Sequence, residues 1–127
     1  MNLKNISILI NILFFIYFAF QLLVFTDEFA LNNIGFFNHA VAGLAEIIGI
    51  VFLSFSLSLM IIFFKRLEKQ FPFFLTIFLV QFIIGANFLR YVLTNSPGES
   101  NLYNISLNAT VFLITSLVTL YILLKNK

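Results

Sequence analysis

Four uninterrupted apolar runs, each close to the thickness of a bilayer, constrain this chain more than any other feature. They cover residues 6–25, 40–64, 71–93 and 105–124. The first and last carry no charged side chain, the second holds only Glu46, and the third only Arg90. A helix needs about 20 apolar residues to cross a ~30 Å hydrocarbon layer, and each run is long enough. In hydrocarbon every backbone amide needs an internal partner, which leaves helices or the strands of a closed barrel. Barrel strands alternate over about 10 residues, and Phe14-Phe15-Ile16-Tyr17-Phe18 does not alternate. The sequence therefore predicts an all-α, antiparallel four-helix transmembrane bundle, with residues 1–127 forming a single integral membrane domain.

Composition agrees. The chain is 61% hydrophobic and 9% charged, with a mean hydropathy of +1.07. An average soluble domain is about a quarter charged, so this chain lacks the polar surface to cover itself in water. An ordinary cytosolic enzyme, a disordered chain and a nucleic-acid binder are all excluded. No cysteine is present, so there can be no disulfide, thiolate nucleophile or thiolate metal site. One histidine cannot build a zinc site or a bis-histidine haem within a single chain. Neither a metal nor a cofactor is expected.

The net charge of +2 matters through its placement. Lys4 precedes the first run, Lys65, Arg66 and Lys69 separate the second from the third, and Lys125 and Lys127 follow the fourth. With four crossings these segments share one side, which the positive-inside rule makes cytoplasmic. The opposite connections carry Asp27, Glu28 and Glu99 and no lysine or arginine. Both termini are thus expected inside. A cleaved signal peptide is a poorer reading of the first run, which exceeds the roughly 7–15 residues of a signal core and ends on Thr26-Asp27-Glu28-Phe29 without a small-x-small site. The short cytoplasmic connection predicts a hairpin of the second and third helices, with Pro72 near the start of the third, where its missing N–H is harmless. Ser96-Pro97-Gly98 reads as a turn.

Ionisable groups in hydrocarbon normally face protein or water. Glu46 lies six residues past Ala40, about 9 Å below the outer end of its helix. Asn87 lies six residues before Leu93 on a helix running the other way, level with it, and Arg90 is one turn nearer the surface. A buried Glu46–Arg90 pair across the hairpin, with Asn87 as a further donor, is the expected arrangement. His39, Ala42, Glu46, Gly49 and Leu53 then form a seam with coiled-coil spacing, where Gly43, Ala45 and Gly49, like Gly85 in the third helix, allow close backbone approach. Asn108, Phe112, Thr115 and Thr119 make a similar seam in the fourth. The first helix offers Asn11 and Gln21. Gln81 and Arg90, nine residues apart, give the third two polar faces, as contacts within a homo-oligomer or larger membrane complex would require.

Each feature has a plainer reading. The Glu46–Arg90 pair could be a register clamp, Arg90 could snorkel to headgroups, and His39 could be interfacial. Serines and threonines often bond their own helix. The 19 phenylalanines are packing and lipid contact, and Tyr91, Tyr103 and Tyr121 suit an interfacial belt. Two glycosylation-like triplets, at Asn104 and Asn108, lie at or within the membrane boundary and are discounted.

The stretch Gly43-Leu44-Ala45-Glu46-Ile47-Ile48-Gly49-Ile50, followed by Asn87-Phe88-Leu89-Arg90-Tyr91 and Asn95-Ser96-Pro97-Gly98, resembles the small four-helix bacterial membrane proteins of the DoxX-like group. The likeness is strongest to members known only as a domain of unknown function. Ala42 stands where those proteins carry the first of two glycines, and Asn108 where they tend to carry an acid. The resemblance implies the four-helix fold and a bacterial inner membrane. The residues together suggest a non-catalytic accessory subunit or scaffold of a membrane complex. The alternative is a small-molecule (quinone-like or anionic) or proton-handling protein using Glu46 and Arg90. Candidate polar-cluster or ligand-binding residues are Glu46, Arg90, Asn87, His39, Tyr91, Gln21 and Asn108.

Overall fold

A computed structural model describes residues 3–33, 38–66, 69–94 and 102–125. The Ser96-Pro97-Gly98 turn, Glu99, Lys127 and the Tyr91 side chain lie outside what it describes. The described residues form five helices: α1 (Leu3–Leu23), α2 (Thr26–Asn33), α3 (His39–Lys65), α4 (Phe71–Thr94) and α5 (Leu102–Lys125). The long ones, α1, α3, α4 and α5, are apolar and long enough to cross a membrane. Hydropathy did not register α2. This short, weakly apolar helix follows α1 almost at once, with Asp27 and Glu28 in its first turn, where carboxylates favour the helix dipole.

Local signals account for the boundaries. Asn38 caps α3, its side-chain oxygen accepting the Val41 N–H at 2.8 Å. At the other end the Arg66 N–H bonds Ile62 O, with Arg66 left-handed at φ 53°. Lys69, just before α4, is also left-handed, at φ 61°. Pro72 occupies the first turn of α4, and the Phe74 N–H bonds back to Gln70 O at 3.0 Å.

The helices do not pack in the order the short cytoplasmic connection suggests. α3 lies along α1 and α4 along α5, and α1 also meets α5. No comparable interface joins α3 to α4, so the expected hairpin of the second and third crossings is not a packed pair. These two helices touch near their connection, where the Phe55 and Phe73 rings are 6.1 Å apart. One core nevertheless draws on all four. Phe112 of α5 sits among rings from three neighbours: Phe14 and Phe18 of α1 at 4.9 and 4.8 Å, Phe88 of α4 at 5.6 Å, and Phe52 of α3 at 6.3 Å. Lipid chains are as apolar as these side chains, so association within a bilayer rests on packing contact and hydrogen bonds rather than on hydrophobic transfer. α2 closes one end, with Ala30 fully buried and the Thr26 hydroxyl donating to Leu22 O.

The buried seam of α3 is Ala45, Gly49, Phe52, Ser56 and Leu59. This corrects the expected seam of His39, Ala42, Glu46, Gly49 and Leu53, of which only Gly49 is buried. The expectation assumed that a carboxylate must face protein within its own chain. The observed seam instead selects the small and aromatic side chains that let α3 approach α1.

Glycine use follows from these interfaces. A Cβ on Gly49 would lie 2.8 Å from Leu23 Cγ and 3.1 Å from Leu22 Cβ. One on Gly85 would lie 2.9 Å from Leu113 Cγ and 3.2 Å from Phe112 Cβ. Gly43 has nothing within 4 Å, so it is not a packing glycine within the chain. Gly85→Ala and Gly49→Ala are each expected to destabilise the fold by about 1–3 kcal/mol through overpacking. Gly43→Ala should leave unfolding of the isolated chain within about 0.5 kcal/mol of the parent. Detergent-titrated unfolding of the three variants checks the ranking.

Candidate functional site

The polar centre of the molecule is not where the charged residues are. Asn11 of α1, Gln81 of α4 and Thr119 of α5 are completely buried and meet one another. Gln81 Nε2 donates to Asn11 Oδ1 at 2.7 Å, and Thr119 Oγ1 lies 2.6 Å from Gln81 Oε1 and 3.0 Å from Asn11 Oδ1. Asn11 Nδ2 donates to Ser7 O at 3.1 Å. The Thr119 hydroxyl has one proton and a third acceptor, Thr115 O, at 3.1 Å. Its shortest contact, to Gln81 Oε1, is the natural recipient. Every group in this knot is neutral, so it can donate and accept hydrogen bonds but cannot carry charge. It ties three helices together at one level, including α1 and α4, which share no extensive interface.

Helical spacing positions these side chains. On α4, Phe74, Ile77, Gln81 and Gly85 recur at three- and four-residue steps and are all buried. On α5, Phe112, Thr115 and Thr119 do the same, as the sequence suggested for that seam. α3 contributes Ser56 to the interior instead. It is fully buried, and among the described residues its hydroxyl oxygen has no partner.

The expected pairing of Glu46 with Arg90 is not formed within the chain, and both side chains are exposed. The reason lies in helical phase. Phe55, which turns toward α4, is nine residues beyond Glu46, about two and a half turns. Glu46 therefore sits on the face of α3 turned away from α4. Arg90 is likewise nine residues beyond Gln81 and points away from the core. Its Nη2 donates to Asn87 Oδ1 at 3.2 Å, and Asn87 is exposed as well. His39, the first residue of α3, is exposed. The buried outer-half cluster anticipated from the sequence is thus replaced by charges on the outside of the bundle.

Gln21 and Asn108 are brought together elsewhere. With Tyr17, Asn32 and Asn104 they line a polar recess of about 90 Å³ between α1, α2 and α5. A second recess, apolar and about 370 Å³, lies between α1 and α5. Glu46 and Arg90 line neither of the two. Sequence reasoning named Asn11, Gln81 and Thr119 as polar positions but left them out of the candidate site. The available signal was the coincidence of one neutral hydrogen-bonding residue on the apolar seam of each of three helices.

The architecture is that of a small all-helical chain with four membrane-compatible helices around one aromatic core. No family model, curated protein or solved structure matches it.

Proposed function

We propose that this chain is an integral membrane protein of four antiparallel crossings with both termini cytoplasmic, and that it serves as a non-catalytic accessory subunit or scaffold. The observation that carries this reading is the separation of polar groups. The interior is locked by a neutral, mutually bonded knot, while the two charged side chains of the crossings, Glu46 and Arg90, lie on the outside. Leaving an ionised side chain against lipid costs at least a few kcal/mol near mid-depth. Glu46 is seven residues inside the start of α3, about 10 Å along the helix. A protein partner carrying complementary groups removes that cost. A second copy of this chain or a larger membrane complex fills the role.

Several contacts support the antiparallel arrangement. Gly49 of α3 lies against Leu22 and Leu23, late in α1, whereas Phe52 and Phe55, later in α3, reach Phe15, earlier in α1. Between α4 and α5, Gly85 opposes Phe112 and Leu113, while the earlier Gln81 meets the later Thr119. The cationic connection supports the orientation. Arg66 and Lys69 hold left-handed backbone conformations that cost L-residues roughly 1–2 kcal/mol. With Lys65 they gather three cations in one connection, as the positive-inside rule expects of a cytoplasmic loop. The DoxX-like resemblance, with the inner-membrane location it implies, belongs to the same proposal.

The chain has no cysteine, so single introduced thiols report sidedness cleanly. In intact cells, Asp27→Cys is expected to react with a membrane-impermeant maleimide and Lys69→Cys only after permeabilisation. The reverse pattern inverts the topology. Purification in mild detergent tests the role itself. The expected particle contains more than one polypeptide, and a stable particle holding a single copy of this chain and nothing but native lipid contradicts the subunit reading.

A further inference from the structure

We propose that the apolar recess between α1 and α5 is a binding site for an anionic phospholipid of the cytoplasmic leaflet, holding one acyl chain beneath a headgroup bound by Lys4 and Lys125. The inference rests on the four-crossing reading above but not on the assembly role. The recess is lined by Leu3, Ser7, Ile114, Leu117, Val118 and Tyr121. Its volume of about 370 Å³ falls within the roughly 300–1,000 Å³ of small-molecule sites. The one hydroxyl of a short side chain in the wall is already used, since Ser7 Oγ donates to Leu3 O at 2.8 Å. What remains is a carbon-walled groove suited to a hydrocarbon chain. Leu3, Ile114 and Leu117 are 65%, 55% and 64% exposed, so the groove opens outward from the bundle, where its occupant would come from the bilayer.

Charge complementarity selects the class of lipid. The groove runs about two turns along α5, from Ile114 to Tyr121. At its Tyr121 end, Lys125 Nζ lies 5.7 Å from the Tyr121 ring centroid, which holds an ammonium at the mouth. Lys4 stands in the first turn of α1, next to the groove residue Leu3. Two cations at the headgroup level, above a slot lined by no carboxylate or cationic side chain, match a lipid with a negative phosphate headgroup and offer a zwitterionic one less.

The absence of tryptophan makes a direct test available. Leu117→Trp places one fluorophore at the groove, and Ile83→Trp, on an exposed position of α4, serves as the bulk-lipid control. Both full-length chains are reconstituted in phosphatidylcholine vesicles containing increasing dibrominated phosphatidylglycerol. The Leu117→Trp signal is expected to quench saturably at a mole fraction at least tenfold below that needed for Ile83→Trp. Dibrominated phosphatidylcholine should quench the two alike. Lys4→Gln with Lys125→Gln should move the Leu117→Trp midpoint up by roughly fivefold per charge. Identical phosphatidylglycerol curves for the two tryptophans, or a midpoint unmoved by the lysine changes, overturn the site. A Leu117→Trp signal unquenched by either lipid while Ile83→Trp is quenched overturns it too, with a protein segment covering the groove. If neither tryptophan is quenched by either lipid, the four-crossing reading fails along with it.

Discussion

Replacing Asn11 alone with leucine is expected to destabilise the bundle by about 2–3 kcal/mol, more than replacing all three members of its knot together. Asn11 Oδ1 is the acceptor for Gln81 Nε2 and a neighbour of the Thr119 hydroxyl, and all three residues are fully buried. Removing it strands a carboxamide donor in an apolar interior. Orphaning a buried polar group costs about 1–3 kcal/mol, whereas exchanging every partner for an apolar group of similar shape can be nearly neutral. The triple variant Asn11→Leu, Gln81→Met, Thr119→Val is therefore expected within about 1 kcal/mol of the parent. Unfolding titrations in detergent, or steric trapping in bilayers, measure both. A triple variant destabilised as much as Asn11→Leu alone would mean that the knot contributes net stability rather than specificity of helix arrangement.

Glu46→Gln should do the opposite: leave the chain folded and weaken its assembly. The side chain is exposed, so unfolding of the isolated chain is expected to change by less than about 0.5 kcal/mol. Loss of one partner from a desolvated, hydrogen-bonded charge pair costs about 2–5 kcal/mol at an interface, which is roughly 30-fold or more in affinity. Dilution of fluorescently paired chains in vesicles reads that loss directly. Unchanged assembly combined with a destabilised monomer would make Glu46 an internal clamp and remove the basis for a partner.

How far the sequence leads depends on which physical rule each feature obeys. The four long helices follow from hydropathy alone, because a bilayer-length apolar run has few alternatives. The seam of α5 through Phe112, Thr115 and Thr119 was legible because its polar and aromatic residues share one helical phase. The seam of α3 was not, because two registers passed through Gly49 and the presence of Glu46 favoured the wrong one. Phe52 and Ser56 belong to the right one. A short connection does not by itself make neighbouring helices pack. α3 and α4 are joined by a few residues yet lean on α1 and α5 respectively, and pair contacts between helices distant in sequence decide that. The nine-residue separation of Gln81 and Arg90 was the most informative spacing in the chain. It predicted two polar faces on α4, and the structure has Gln81 facing inward and Arg90 outward. Pairing Arg90 with Glu46 ignored the same arithmetic on α3.

The account depends above all on Asn11 and Gln81 holding each other in the interior while the charged residues face outward. A double-mutant cycle between Asn11→Leu and Gln81→Met, read by unfolding free energy in a bilayer, measures that bond most directly. A fully buried bond of this kind predicts a coupling of about 0.6–1.7 kcal/mol, from the average to the maximum of interhelical hydrogen bonds measured by such cycles in a membrane. Additivity within about 0.3 kcal/mol would mean that the two side chains do not meet, and the separation of a neutral interior from a charged exterior would no longer describe this protein.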